Sequence, residues 1–337
     1  MWGATISMNN IGKAFLLAML VSAPTQPTAA AELMAVSNGA CDHLLRGEIK
    51  ENDADLFTDA GVTRVCLDSP GGSFLGGKAL EDLFMTDGIQ TYVRRGDQCH
   101  SACALAFLGG SEWGDMRHAS RTIEPGAVLG FHAPYLALPH GNHDAEELNQ
   151  TMTLAMSIAG KIVADGPNLK TSLGFMTGFI LAPTRDTKVV STVHDAVMGG
   201  IEIATAYKLP KVGDKEARQA CKTLFDRYAD AFADAVTATE PSFDVSPSGD
   251  FAKAQSGTTQ VDGEVWKTVA TENSDETPWQ SASCAFSSNV DHWGYREALL
   301  WSNDARSPLE LKSANRQVRL RIPDWYFLPG DTPISNL

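Results

Sequence analysis

Thr63-Arg64-Val65-Cys66-Leu67-Asp68-Ser69-Pro70-Gly71-Gly72 is the stretch on which the reading of this chain turns. Thr63 to Leu67 is β-branched and apolar and is bounded by turn residues, which predicts a buried strand. After the glycine pair, apolar residues at 75, 79, 80, 83 and 84 have helical spacing, which predicts a helix over Leu75 to Thr86. Ile89 to Val93 reads as the next strand. Strand, helix and strand in alternation imply an α/β core with parallel pairing. A Gly-Gly turn after a strand also leaves backbone N–H groups approachable. That chemical property directs attention to the residues that could lie beside it.

Two further segments answer. Cys99-His100-Ser101-Ala102-Cys103 heads the small, apolar run Ala104 to Gly110, so Ser101 stands at the start of a predicted helix, Ser101 to Leu108. Leu129-Gly130-Phe131-His132-Ala133-Pro134 puts His132 at the end of a predicted strand, Ala127 to Phe131. Gly71 and Gly72 as an oxyanion hole, Ser101 as nucleophile and His132 as base form a set suited to acyl transfer, most simply peptide hydrolysis. Each residue has a plainer reading. Serine is a common helix N-cap, a Gly pair is a common turn, and a histidine is more often packed or at the surface. Their occurrence in order favours chemistry. Lys161, on a long predicted helix from Asp144 to Ala164, is an alternative base, but its spacing suits the serine less well. His140, His143 and Asp144 have donor atoms for a metal, yet they stand in a polar loop without a further ligand cluster, so no metal and no cofactor are expected.

The chain ends differ from this core. Lys13 precedes the apolar run Ala14 to Ala23, and Ala29-Ala30-Ala31-Glu32 offers small residues for cleavage after Ala31. Residues 1–31 therefore read as an export signal, with Met8 as an alternative start. The run is short for a bilayer, so no stable membrane insertion is expected. Export to the periplasm or beyond favours disulfides among the six cysteines. Cys41 and Cys66 lie in neighbouring predicted strands, Cys99 and Cys103 flank Ser101, and Cys221 and Cys284 are the remaining pair, expected to bridge. The net charge of −14 comes without a basic patch, which argues against nucleic acid. Residues 32–210 read as the hydrolase domain and 211–337 as a C-terminal β-containing module. That module opens with a predicted helix from Lys215 to Thr237 and has a long loop at 241–257. Short strands are expected at Val265 to Val269, Ser281 to Phe286 and Gln317 to Ile322.

Leu44-Leu45-Arg46-Gly47-Glu48-Ile49, Asp68-Ser69-Pro70-Gly71-Gly72, His100-Ser101-Ala102 and Gly130-Phe131-His132-Ala133-Pro134, in this order, resemble the Clp-type serine peptidases of the crotonase-like superfamily. The resemblance covers residues 40 to about 205. It extends to exported Clp-like proteins of bacteria, which look like Cys-x-Ser-Ala-Cys at the nucleophile. It implies a spiral of ββα units, with Ser101 attacking a carbonyl and His132 taking its proton. The amides of Gly72 (or Gly71) and Ala102 would bind the oxyanion, and an extended polypeptide substrate would lie along a strand edge. The implied acid is Asp186. Asp195, in the closing run Asp195 to Ile201, is the alternative, and Lys188 falls near the acidic position if no gap is allowed. Family members form rings or stacks, so a homo-oligomer is implied, unless the long loop blocks it. Two other readings use the same residues: a binding or assembly protein that kept the fold without catalysis, and an acyl-CoA enzyme of the crotonase type. Export weighs against the second, because coenzyme A is not expected outside the cytoplasm.

Overall fold

The computed structural model describes residues 29–37, 39–114, 117–134, 144–181, 187–228, 251, 253–261, 263–271, 281–303 and 318–337. It is a mixed α/β protein. β1 (Glu32–Ala35), β2 (His43–Arg46), β3 (Arg64–Asp68), α1 (Phe74–Asp87), β4 (Gln90–Val93), β5 (Gln98–His100) and α2 (Ala102–Leu108) come first. The hairpin β6 (Ser111–Trp113) and β7 (Arg117–Ala119) follows, then β8 (Arg121–Ile123) and β9 (Val128–Phe131). The long α3 (Ala145–Leu169) leads to the short α4 (Leu173–Phe175), which runs on as a π-helical turn, and then to β10 (Lys188–Val189), α5 (Val193–Gly199) and β11 (Glu202–Ile203).

The main sheet has the order β1-β2-β3-β4-β8-β11, parallel except for the antiparallel edge β1. Val65, Cys66 and Leu67 on β3 are buried on both faces, as the uninterrupted apolar run requires of a central parallel strand. A second sheet, β10-β9-β5, stands beside the first. Its β5 joins the end of β3 where Ser69 N–H donates to Gln98 O and His100 N–H to Ser69 O. β5, β8 and β11 escape sequence reading because two or three residues show no period.

α3 differs from expectation at its end. Gly166-Pro167 signals a stop, yet the helix continues to Leu169. Asp165 pairs with Lys78 of α1, Leu169 is buried, and Arg117 and Arg121 donate to the carbonyls of Asn168 and Leu169. Tertiary partners thus hold a turn that local propensity would release. The first part of α3 projects outward, with Met152 and Met156 exposed.

The C-terminal part begins with α6 (Asp214–Tyr228) and continues as five antiparallel strands in chain order: β12 (Gln255–Val261), β13 (Glu264–Ala270), β14 (Ser281–Ser287), β15 (Tyr295–Asn303) and β16 (Val318–Pro323). The expected loop 241–257 is shorter at its end. Gln255, Ser256 and Gly257 pair with Ala270, Val269 and Thr268, because the partner strand supplies the ladder that their turn-like composition hides. Residues 229–250 lie outside the described residues, as does most of that loop and the end of the helix expected to reach Thr237. Cys221–Cys284 joins α6 to β14. A buried pair, Arg296 with Asp324 at 2.7 Å, also binds the Leu209 backbone through Asp324 and through Arg296, so this part is fastened to the core. The final residues return to α5, where Val193 N–H donates to Thr332 O and His194 N–H to Gly330 O.

The other disulfides are Cys41–Cys66 and Cys99–Cys103. Three bridges fit an oxidising compartment. Among the described residues no helix is long and apolar enough to cross a membrane. Residues 1–28 of the expected export signal lie outside the described part. Ala29 O accepts from Glu48 N–H and Ala31 N–H donates to Glu48 O, so the bond after Ala31 falls within a paired segment.

Candidate active site

β5 and β9 run parallel with His100 opposite Gly130, so the residues that follow each strand leave the sheet side by side. One chain turns into α2 at Ser101 and the other continues through Phe131 to His132. Ser101 N–H donates to Gly130 O at 2.9 Å and ties the two exits together. Ser101 and His132 line one cavity of about 220 Å³.

Ser101 has φ 56° and ψ −120°. This is a sparsely populated conformation for a residue with a side chain, and it persists only where the surroundings dictate it. The chain makes a sharp strand-to-helix turn here, the geometry that lifts a nucleophilic serine out of its own backbone. The Ser101 side chain makes no capping hydrogen bond to α2. The N-cap role that serine usually takes is therefore absent, and the hydroxyl is left for the cavity. Composition does not reveal a positive φ at a serine, which is why sequence reasoning missed this feature.

The glycine pair packs against the turn. Gly71 has φ 100°, and a Cβ there would lie 2.7 Å from Ser101 Cβ and 2.6 Å from His100 O. Only glycine permits that approach. The Gly71 N–H donates to Ser69 Oγ at 3.1 Å. Gly72, by contrast, lines the cavity with Ala102, and among the described residues neither of their N–H groups has a hydrogen-bond acceptor. Ala102 opens α2, so its N–H is one of the donors a helix leaves unused at its start.

His132 Nδ1 lies 2.9 Å from Ala133 O. A carbonyl only accepts, so Nδ1 is the donor in this contact. Phe131, Phe175 and Phe179 form an aromatic cluster behind the histidine, with ring centroids 5.4 Å apart for the first pair. Phe74, Leu105, Phe131, Pro134, Ile162 and Ile180 supply the apolar part of the cavity wall.

His100, next to Ser101, carries no role in the sequence reading. Its Nδ1 is buried without a hydrogen-bond partner among the described residues, hard against Gly130. Burial, and then the charge of His132, push its pKa down and favour the neutral ring.

Asp186 lies outside the described residues. Lys188 pairs across from Phe131 on the outer strand β10 and is exposed. The carboxylate of Asp195 accepts from the backbone of Ser191 and Thr192 in a capping box at the start of α5. Lys161 is exposed on α3, whereas its neighbour Ile162 faces the cavity. His140 and His143 lie outside the described residues, and Asp144 caps α3 by accepting from Glu147 N–H. Among the described residues no cluster of His, Cys, Asp and Glu could hold a metal. No protein-family model matches the chain, and no curated protein matches it.

Proposed function

We propose that this chain is an exported serine hydrolase acting on polypeptides, built on a Clp/crotonase-like core. The observation that carries the reading is the strained, uncapped Ser101 at a strand-to-helix turn, opening on a cavity it shares with His132. Ser101 Oγ attacks the substrate carbonyl as His132 Nε2 takes its proton. The N–H groups of Gly72 and Ala102 receive the negative charge that develops on the carbonyl oxygen, at no cost in reorganisation because both are held by backbone. His132 then returns the proton to the leaving amine, and water repeats the sequence on the acyl-enzyme. The Ala133 carbonyl fixes the tautomer that leaves Nε2 as the base, a task Asp186 shares in this reading. The apolar wall suits an apolar substrate side chain next to the scissile bond.

The test is labelling by a fluorophosphonate probe, followed by peptide mapping. Wild type should be modified at Ser101. Ser101→Ala should lose all labelling, and His132→Ala should lower the rate by roughly 10³-fold or more, because nucleophile and base act as a unit. A folded wild type that does not react would reject hydrolysis and leave a binding protein. Full reactivity of His132→Ala with loss in Lys161→Ala would move the base to Lys161.

A further inference from the structure

We infer that the Cys99–Cys103 disulfide is a positioning device for Ser101, and that the hydrolase stays latent until this bond has formed. The inference rests on Ser101 being the nucleophile, as proposed above. Cys99 is the middle residue of β5 and Cys103 the second residue of α2, so the bridge spans the single residue held at φ 56°.

Backbone hydrogen bonds hold the two sides of this turn separately. His100 N–H to Ser69 O and Ser101 N–H to Gly130 O fix the strand side, and Leu105 N–H to Ser101 O belongs to the helix side. The disulfide crosses from one side to the other with its Cα atoms 5.2 Å apart. Without it, the first turn of α2 can shift against β5. Ser101 then has an ordinary alternative, an extended N-cap conformation whose hydroxyl accepts from a backbone N–H of the first helical turn. That state satisfies the helix and turns the hydroxyl from the cavity. A strained residue persists only when its surroundings over-determine it, and here the covalent bridge is the added constraint.

Both cysteines are fully buried. The bond therefore forms before the core closes, by exchange with a disulfide donor. Two thiols give up two protons and two electrons, the donor disulfide is reduced to two thiols, and one S–S bond is made for one broken. A chain made in a reducing compartment would keep both thiols and a relaxed serine. The peptide-cleaving site would then assemble only where disulfides persist.

The experiment compares fluorophosphonate labelling rates at Ser101 in the full chain, at a temperature where circular dichroism shows each protein folded. Cys99→Ala/Cys103→Ala should react roughly ten- to a hundredfold more slowly than wild type, the span set by one strained residue. Cys221→Ala/Cys284→Ala removes a bridge far along the chain from the serine. It should melt earlier yet react at the wild-type rate, which separates positioning from general stability. Cys99→Val/Cys103→Ala refills buried volume and serves if the first variant does not fold. Wild type refolded in dithiothreitol should react slowly, and unfolding it again and refolding it with oxidised glutathione, so that the bond forms before the core closes, should restore the rate. Equal rates for wild type and the folded Cys99/Cys103 variants would overturn the inference while leaving the hydrolase reading intact. An unreactive wild type would overturn that reading and this inference with it.

Discussion

Replacing Arg121 should be among the most damaging single changes to this fold. Arg121 lies on β8 and is 1% exposed. Its Nη1 donates to Leu108 O at 2.7 Å, its Nη2 to Leu169 O at 2.6 Å, and its Nε to Gly200 O at 3.0 Å. Leu108 ends α2, Leu169 ends α3, and Gly200 is the C-cap of α5. One guanidinium thus serves the carbonyl ends of three helices, where the helix dipoles favour a positive charge. Arg121→Met keeps the buried length and removes every donor. Each buried carbonyl left unpaired costs about 1–3 kcal/mol. Partial relaxation and non-additivity bring the expected total to about 3–5 kcal/mol. Arg121→Lys should recover only a minor part, because an ammonium cannot present the planar fork that reaches three directions. Urea unfolding with the disulfides intact measures this directly, as a lower midpoint with an unchanged slope. A loss below about 1 kcal/mol for Arg121→Met, or wild-type stability for Arg121→Lys, would refute the reasoning.

Gly71→Ala should lower fluorophosphonate labelling by roughly a hundredfold, since its Cβ would press on Ser101 Cβ and His100 O. Gly72→Ala should instead unfold the protein more readily, because its Cβ would meet Ile49 O at 2.2 Å; the reverse pattern would reject both assignments. Peptide mapping without reduction should recover Cys221 linked to Cys284. Removing that bridge, which closes a span of 63 residues, should cost about 4 kcal/mol, and free thiols at both positions would contradict the pairing. Burial pushes the Glu81 carboxyl up to about 7 against the pull of Lys78. A raised carboxyl pKa stabilises the fold below the unfolded value of 4.5, and that stabilisation is lost as pH rises through about 7. Stability should therefore fall from pH 4.5 to 7, by at most on the order of 3 kcal/mol from this group, and Glu81→Gln should flatten the decline. An unchanged slope in Glu81→Gln would assign the decline to other groups.

The sequence by itself determined the elements whose signal is local and repeated. The apolar run before Ser69 marks β3, the spacing of residues 75 to 84 marks α1, and the alternation of both marks an α/β core, because burial on two faces or one stripe leaves a period in the residues themselves. The candidate residues Gly71, Gly72, Ser101 and His132 were legible for a related reason: chemistry restricts residue type at each position. Geometry left no such trace. The strain at Ser101, the exit of β5 beside β9, and the buried Nδ1 of His100 depend on contacts made by chain segments thirty residues apart on opposite sides of α2. Asp195 looks like a free acid in sequence, and only the folded start of α5 shows its oxygens accepting from Ser191 and Thr192. Arg121 reads as an ordinary surface cation until three helices end around it. A side chain's type is written in the sequence, but the partners that give it strain, burial or a hydrogen bond arrive only when distant segments pack.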